Sequence, residues 1–217
     1  MKKHITYYSL MYPIKQHPRS GDKMRTKDEI IEIYTIGHSN KDLAQITDLL
    51  MKYNIELLID VRSYPYSKYV PQFNRETLLS ALAGIQIAYW YAGDSLGGRP
   101  QDPSCYKCGQ MPDGKANYLK LVDYQELAKR NWFKDHIREL VDKSIGRKTV
   151  IMCSEEDPIR CHRHHLIAKA LSEMGITVWH IRGKGDLEMA KFDDIRGPLS
   201  KIDNYQKSDQ TSLLDFA

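Results

Sequence analysis

Short runs of β-branched and aromatic residues recur along the chain, and segments of helical spacing separate them. Ile33-Tyr34-Thr35-Ile36 reads as a first strand, after which Leu43, Ile46, Leu49 and Leu50 repeat at helical intervals. Residues 55–61 read as a second strand, 75–83 as a helix stopped by Gly84, and 87–91 as a third strand. The spacing predicts helices over 118–127 and 132–143, a fourth strand over 149–153, a helix running to Gly175, and a fifth strand over 177–181. Strands that alternate with helices imply parallel pairing, because each crossover must cover a sheet face. The expected fold is a single three-layer α/β domain over residues 31–190, with a mostly parallel, doubly wound sheet of about five strands.

The 217 residues, 41% of them apolar, are enough for one such core. Residues 1–30 carry Pro13, Pro18, Gly21 and scattered lysines without a period, and are expected to form a mobile extension within which Met24 offers a second start. Residues 191–217 turn polar and are expected to be a loose tail. The net charge of +4 sits entirely in the first 30 residues, which hold seven Lys/Arg against three Asp/Glu. A neutral body excludes a broad phosphate-tracking surface, so anion recognition would have to be local. No apolar run approaches membrane-spanning length and no signal-peptide pattern opens the chain. Four unevenly spaced cysteines do not make a secreted disulfide framework, and a cytoplasmic thiol or metal role is expected instead.

Polar and conformationally special residues cluster where the strands end. They are Gly37-His38-Ser39-Asn40, Asp60-Val61-Arg62-Ser63-Tyr64-Pro65, Leu96-Gly97-Gly98-Arg99-Pro100, and Cys153 through Arg163. In open parallel sheets ligands bind beyond the carboxyl ends of the strands, so these segments are expected to converge on one crevice. Together with Pro71-Gln72-Phe73-Asn74, they resemble the bacterial and archaeal family catalogued as domain of unknown function 488. The resemblance covers roughly residues 31–185. It implies an α/β fold and one shared signature, and supplies no reaction.

Guanidinium forks match phosphate and carboxylate oxygens, so Arg62, Arg99, Arg160 and Arg163 are the expected anion ligands, with Ser63, Gly97, Gly98 and Glu155 beside them. The competing reading pairs these arginines with Asp60, Glu155, Glu156 and Asp157 as structural ions. Cys161 lies at a helix start beside His162 and two arginines, surroundings that favour a thiolate nucleophile. Asp60, His38 and His162 are candidate acid–base groups. Cys153 ends a buried strand and reads as an inert thiol, while His164 and His165 read as first-turn residues facing solvent or a carboxylate. Cys153, a loop and Arg160 also suggest a phosphatase-like cradle, but Glu155, Glu156 and Asp157 would repel phosphate there unless turned away.

These residues favour an enzyme or binding protein for a phosphate-bearing, nucleotide-like compound. Two other readings compete. Cys105 and Cys108 are half a tetrahedral zinc site, which Cys153 and Cys161 or nearby histidines would complete, giving a zinc or redox protein. Gln210, Leu213 and Phe216 resemble the short peptide that grips a sliding clamp, which would make the chain a module recruited to nucleic acid.

Overall fold

The structure, a computed structural model, describes residues 31–114 and 116–192. The expected extension over 1–30 and most of the expected tail, including Gln210, Leu213 and Phe216, lie outside the described residues. No helix among the described residues is long and apolar enough to cross a membrane.

A six-stranded sheet forms the middle layer, in the order β3-β2-β4-β1-β5-β6. The strands are β1 (Glu32–Gly37), β2 (Leu57–Asp60), β3 (Ala88–Tyr91), β4 (Thr149–Cys153), β5 (Thr177–Ile181) and β6 (Leu187–Met189). The first five pair in parallel, and β6 runs antiparallel to β5. The expected count of about five is therefore corrected to six. β6 is not legible in the sequence because it is only three residues long, Leu187-Glu188-Met189, too short for its alternation to stand out from the surrounding polar residues, and all three are exposed.

Side chains along β1 and β4 alternate between two cores, as a strand's period of two requires. Tyr34, Ile36, Val150 and Met152 pack with Ile46 and Leu50 of α1 (Leu43–Lys52) and Leu78 and Leu82 of α2 (Arg75–Gly84). Ile33, Ile151 and Cys153 pack on the other face with helices α5 (Tyr124–Lys129) and α6 (Asn131–Ser144), and with the segment leading into α7 (Lys169–Glu173). Short helices α3 (Gly93–Leu96) and α4 (Tyr118–Leu121) precede them. The single helix expected over 118–127 is two, because Val122 turns extended (ψ 132°) and Asp123 caps the backbone N–H groups of Gln125 and Glu126.

This order puts β4 between β2 and β1. The carboxyl ends of these three adjacent strands deliver Asp60, Gly37 and Cys153 to one rim of the sheet. Backbone bonds from His38 N to Cys153 O (3.1 Å), Ser39 N to Ser154 O (2.7 Å) and Val61 N to Met152 O (3.0 Å) continue the ladder into the loops.

Candidate functional site

A pocket of about 130 Å³ opens at that rim. Among its lining residues are His38, Arg62, Ser63, Gly98, Arg99, Glu155, Arg160, Cys161 and His162, so four separate segments do meet there. Cys153 and the tyrosines Tyr64, Tyr66, Tyr118 and Tyr124 line it as well.

The β2 end supplies structure rather than free chemistry. Asp60 is fully buried, and its Oδ1 accepts from Arg62 Nε (2.9 Å) and N (3.1 Å). Its Oδ2 accepts from Arg62 Nη2 (2.6 Å) and the Tyr89 hydroxyl (2.8 Å). Arg62 Nη1 donates to the Phe73 carbonyl (2.9 Å) and lies 3.3 Å from His38 Nε2. Asp60 was expected as an acid–base group and Arg62 as an anion ligand; both are committed to one closed ion pair, which is the competing reading for these two residues. His38 Nδ1 lies 2.7 Å from the Ser39 carbonyl, which can only accept, so Nδ1 carries the proton and Nε2 faces Arg62. Burial, then the Arg62 charge, pushes the His38 pKa down to about 3, and the ring stays neutral while it stacks on Phe73.

The β4 loop is held by Arg163, which is buried. Its guanidinium donates to the carbonyls of Glu155 and Glu156 (2.6 Å to the latter), and its Nε to Thr35 Oγ1 (3.3 Å). Arg163 was also expected to hold the ligand; instead it holds the loop. The glycine of Gly37-His38 is needed here, since a Cβ at residue 37 would stand 1.7 Å from the Glu155 carbonyl oxygen. Glu156 turns outward onto Arg182 (Oε2 to Nη2, 3.1 Å) and the Gly183 N–H (2.8 Å). Asp157 caps the Ile159 N–H (3.1 Å) and lies 3.7 Å from Arg182. Two of the three carboxylates that would repel an anion are therefore turned away, and Arg182, which sequence reasoning missed, is the reason.

Glu155 remains in the pocket. Its Oε1 is buried without a hydrogen-bond partner among the described residues. Burial, reinforced by the Cys161 charge, pushes its carboxyl up to about 7 against the opposing pull of Arg160 and Arg163. Arg99 and Arg160 are the guanidinium groups that line the pocket without a carboxylate in ion-pair range among the described residues. The Arg99 head lies over the Tyr118 ring (4.6 Å), and its backbone N donates to Ser63 Oγ (3.0 Å). Gly97 and Gly98 bring this segment close: a Cβ at 97 would sit 2.4 Å from Ser63 Oγ, and one at 98 would sit 2.8 Å from His162 Nδ1.

Cys153, Cys161 and His162 form a buried cluster whose ligating atoms all lie within 4.8 Å of one another. Burial alone would raise the Cys161 pKa, but a hydrogen bond from the Cys153 thiol and the charges of Arg163 and His162 outweigh it and hold Cys161 well below the ordinary thiol range. The same bond, with burial, pushes the Cys153 thiol well up. Cys153 is thus not the inert thiol that its place at the end of a buried strand suggested. The remote pair does not join them. Cys105 is buried in the 103–105 turn, and Cys108 is exposed with its Sγ 3.5 Å from the Gln110 carbonyl. Among the described residues neither belongs to a group of three ligating side chains, which corrects the alternative of a zinc site built on Cys105 and Cys108 and completed by Cys153 and Cys161 or by histidines.

His164 and His165, expected to face solvent or a carboxylate, are buried. The helix opens with a π-helical segment over Arg163–Ala168, and all six of its residues are buried, so it has no solvent-facing side. His164 Nδ1 meets His180 Nε2 (3.0 Å), whose Nδ1 meets Thr35 Oγ1 (2.7 Å); His165 Nε2 bonds the Ile159 carbonyl (2.6 Å).

The family model described as Domain of unknown function DUF488 matches residues 42–170, and the chain belongs to that family. No curated protein and no solved structure matches the chain.

Proposed function

We propose that this family member holds a phosphate-bearing, nucleotide-like compound in the pocket at the strand ends and acts on it through the Cys153–Cys161–His162 cluster. The observation that carries this reading is the division among the arginines. Every guanidinium nitrogen of Arg62 and Arg163 bonds a protein acceptor, whereas Arg99 and Arg160 line the pocket with no carboxylate in ion-pair range among the described residues. A guanidinium fork at a partly enclosed surface matches phosphate oxygens, and two such groups give the pocket its net attraction for an anion. Tyr64 and Tyr66 are exposed and Tyr118 is half-buried, so the pocket also offers ring faces on which a planar base can stack.

The reacting side of the pocket is opposite in character. The Cys/His cluster lies beneath it, and Glu155, with a carboxyl near neutrality, is suited to giving or taking a proton. Binding is tested with inorganic phosphate, ribose 5-phosphate and AMP by calorimetry. AMP is expected to bind more tightly than ribose 5-phosphate, and both more tightly than phosphate. Chemistry is tested by incubating a nucleotide panel with the protein and with Cys161→Ser, and following products by mass spectrometry. The variant is expected to bind and to form no product; equal product formation by the variant would remove the cluster from the reaction.

A further inference from the structure

We infer that Cys153, Cys161 and His162 bind one zinc ion through two sulfurs and the ring Nδ1, leaving the fourth coordination position open to the pocket. The geometry points to this. His162 Nδ1 lies 3.7 Å from the Cys153 sulfur and 3.7 Å from the Cys161 sulfur. One ring nitrogen has one lone pair or one proton, so it cannot make a directed bond to two sulfurs at once. A cation centred among the three atoms can serve all of them. With Zn–S near 2.3 Å and Zn–N near 2.05 Å, a tetrahedral angle separates sulfur from nitrogen by ~3.6 Å and sulfur from sulfur by ~3.8 Å. The two 3.7 Å separations fit those edges, and the sulfurs lie within 4.8 Å of each other.

The surroundings fit a metal thiolate as well. The Arg163 backbone N–H points at the Cys161 sulfur (3.5 Å), the kind of outer bond that steadies a ligating thiolate. Gly98 packs against the imidazole, and nothing larger fits there without moving the ring. Two soft sulfurs and one imidazole select zinc among the common divalent ions, and three protein ligands with a fourth position free are the pattern of reactive rather than structural zinc. All three residues line the pocket, so a zinc ion held there would meet a bound oxygen ligand directly and act as a Lewis acid towards it. This inference goes beyond the proposed function and does not require it, since metal uptake is read without any pocket ligand.

The test uses the full-length chain, kept reduced, prepared without chelator, and compared with Cys153→Ser, Cys161→Ser and Cys108→Ser. Elemental analysis is expected to find one zinc per chain in the wild type and in Cys108→Ser, and at least a tenfold loss of occupancy in the other two. Cobalt substitution of the wild type is expected to give a sulfur-to-cobalt charge-transfer band in the near ultraviolet. X-ray absorption of the zinc form is expected to find two sulfur scatterers with nitrogen or oxygen completing the shell. The absorption measurement needs no variant, so a misfolded substitution does not spoil the test. A folded wild type that takes up neither zinc nor cobalt overturns the inference, as does a first shell with no sulfur or with four.

Discussion

Asp60 and Arg62, two residues apart at the end of β2, close a bidentate ion pair in which every acceptor position of the carboxylate is used. Both side chains are buried, 0% and 5% exposed, so the pair is shielded from solvent screening. Removing one partner strands a charge in the core. Arg62→Met is expected to lower unfolding free energy by about 3–5 kcal/mol. Asp60→Asn with Arg62→Met should recover part of that loss. Urea denaturation of the three proteins checks this, and an Arg62→Met variant as stable as the wild type would contradict the closed pair.

Gly98 and His162 are coupled by contact. A Cβ at residue 98 would stand 2.8 Å from Nδ1, closer than real Cβ atoms come to a neighbouring heavy atom. Gly98→Ala is expected to turn the imidazole away from Cys153 and Cys161 while leaving the sheet intact. Zinc content should fall at least tenfold with an unchanged circular dichroism spectrum. Full occupancy in the variant would show that the ring does not depend on this approach.

His180, like His38, is a buried neutral histidine that makes stability depend on pH. Burial, and then the charge of Arg163, lowers its pKa to about 3, with His164 and Arg182 acting in the same direction and Cys161 opposing. The unfolded state, with an ordinary histidine, binds the proton near pH 6.5. Stability is therefore intact above that value and falls as pH drops through the window from 6.5 towards 3. His180→Gln is expected to flatten that fall by the contribution of one proton. Melting temperature measured from pH 7.5 to 4.5 for both proteins reads the difference; parallel curves would contradict a neutral His180.

Much of this arrangement was legible in the residues, and the parts that were not have physical reasons. The five parallel strands follow from apolar runs spaced by helical periods, and the convergence of the four loops follows from parallel pairing. What the sequence could not reveal is which acceptor each arginine would find. Glu156 and Arg182 are 26 positions apart and meet because β4 and β5 flank β1 in parallel, so their following loops leave at the same rim, an order no local pattern encodes. Arg62 and Asp60, by contrast, are near neighbours whose pairing was foreseen only as a competing reading, since an exposed strand end would have left both free. The buried histidines were misplaced because the opening of the helix after β4 is buried at every residue from Arg163 to Ala168, a surrounding that the local sequence does not signal. Cys153 reads from the sequence as an inert thiol, a cradle cysteine or a partner for the Cys105/Cys108 pair; the choice among these comes from Cys161 and His162, which the loop returns to it.

The central claim is that Arg99 and Arg160 give the pocket its affinity for a phosphate-bearing ligand. Calorimetry of AMP binding to the wild type, Arg99→Ala, Arg160→Ala and the double variant tests it directly. Loss of a charge-assisted bond costs about 1.5–3 kcal/mol, so each single variant is expected to weaken binding by roughly ten- to a hundredfold, and the double variant to abolish it. Wild-type protein that binds neither AMP nor inorganic phosphate, or a double variant that binds AMP as the wild type does, would contradict the account.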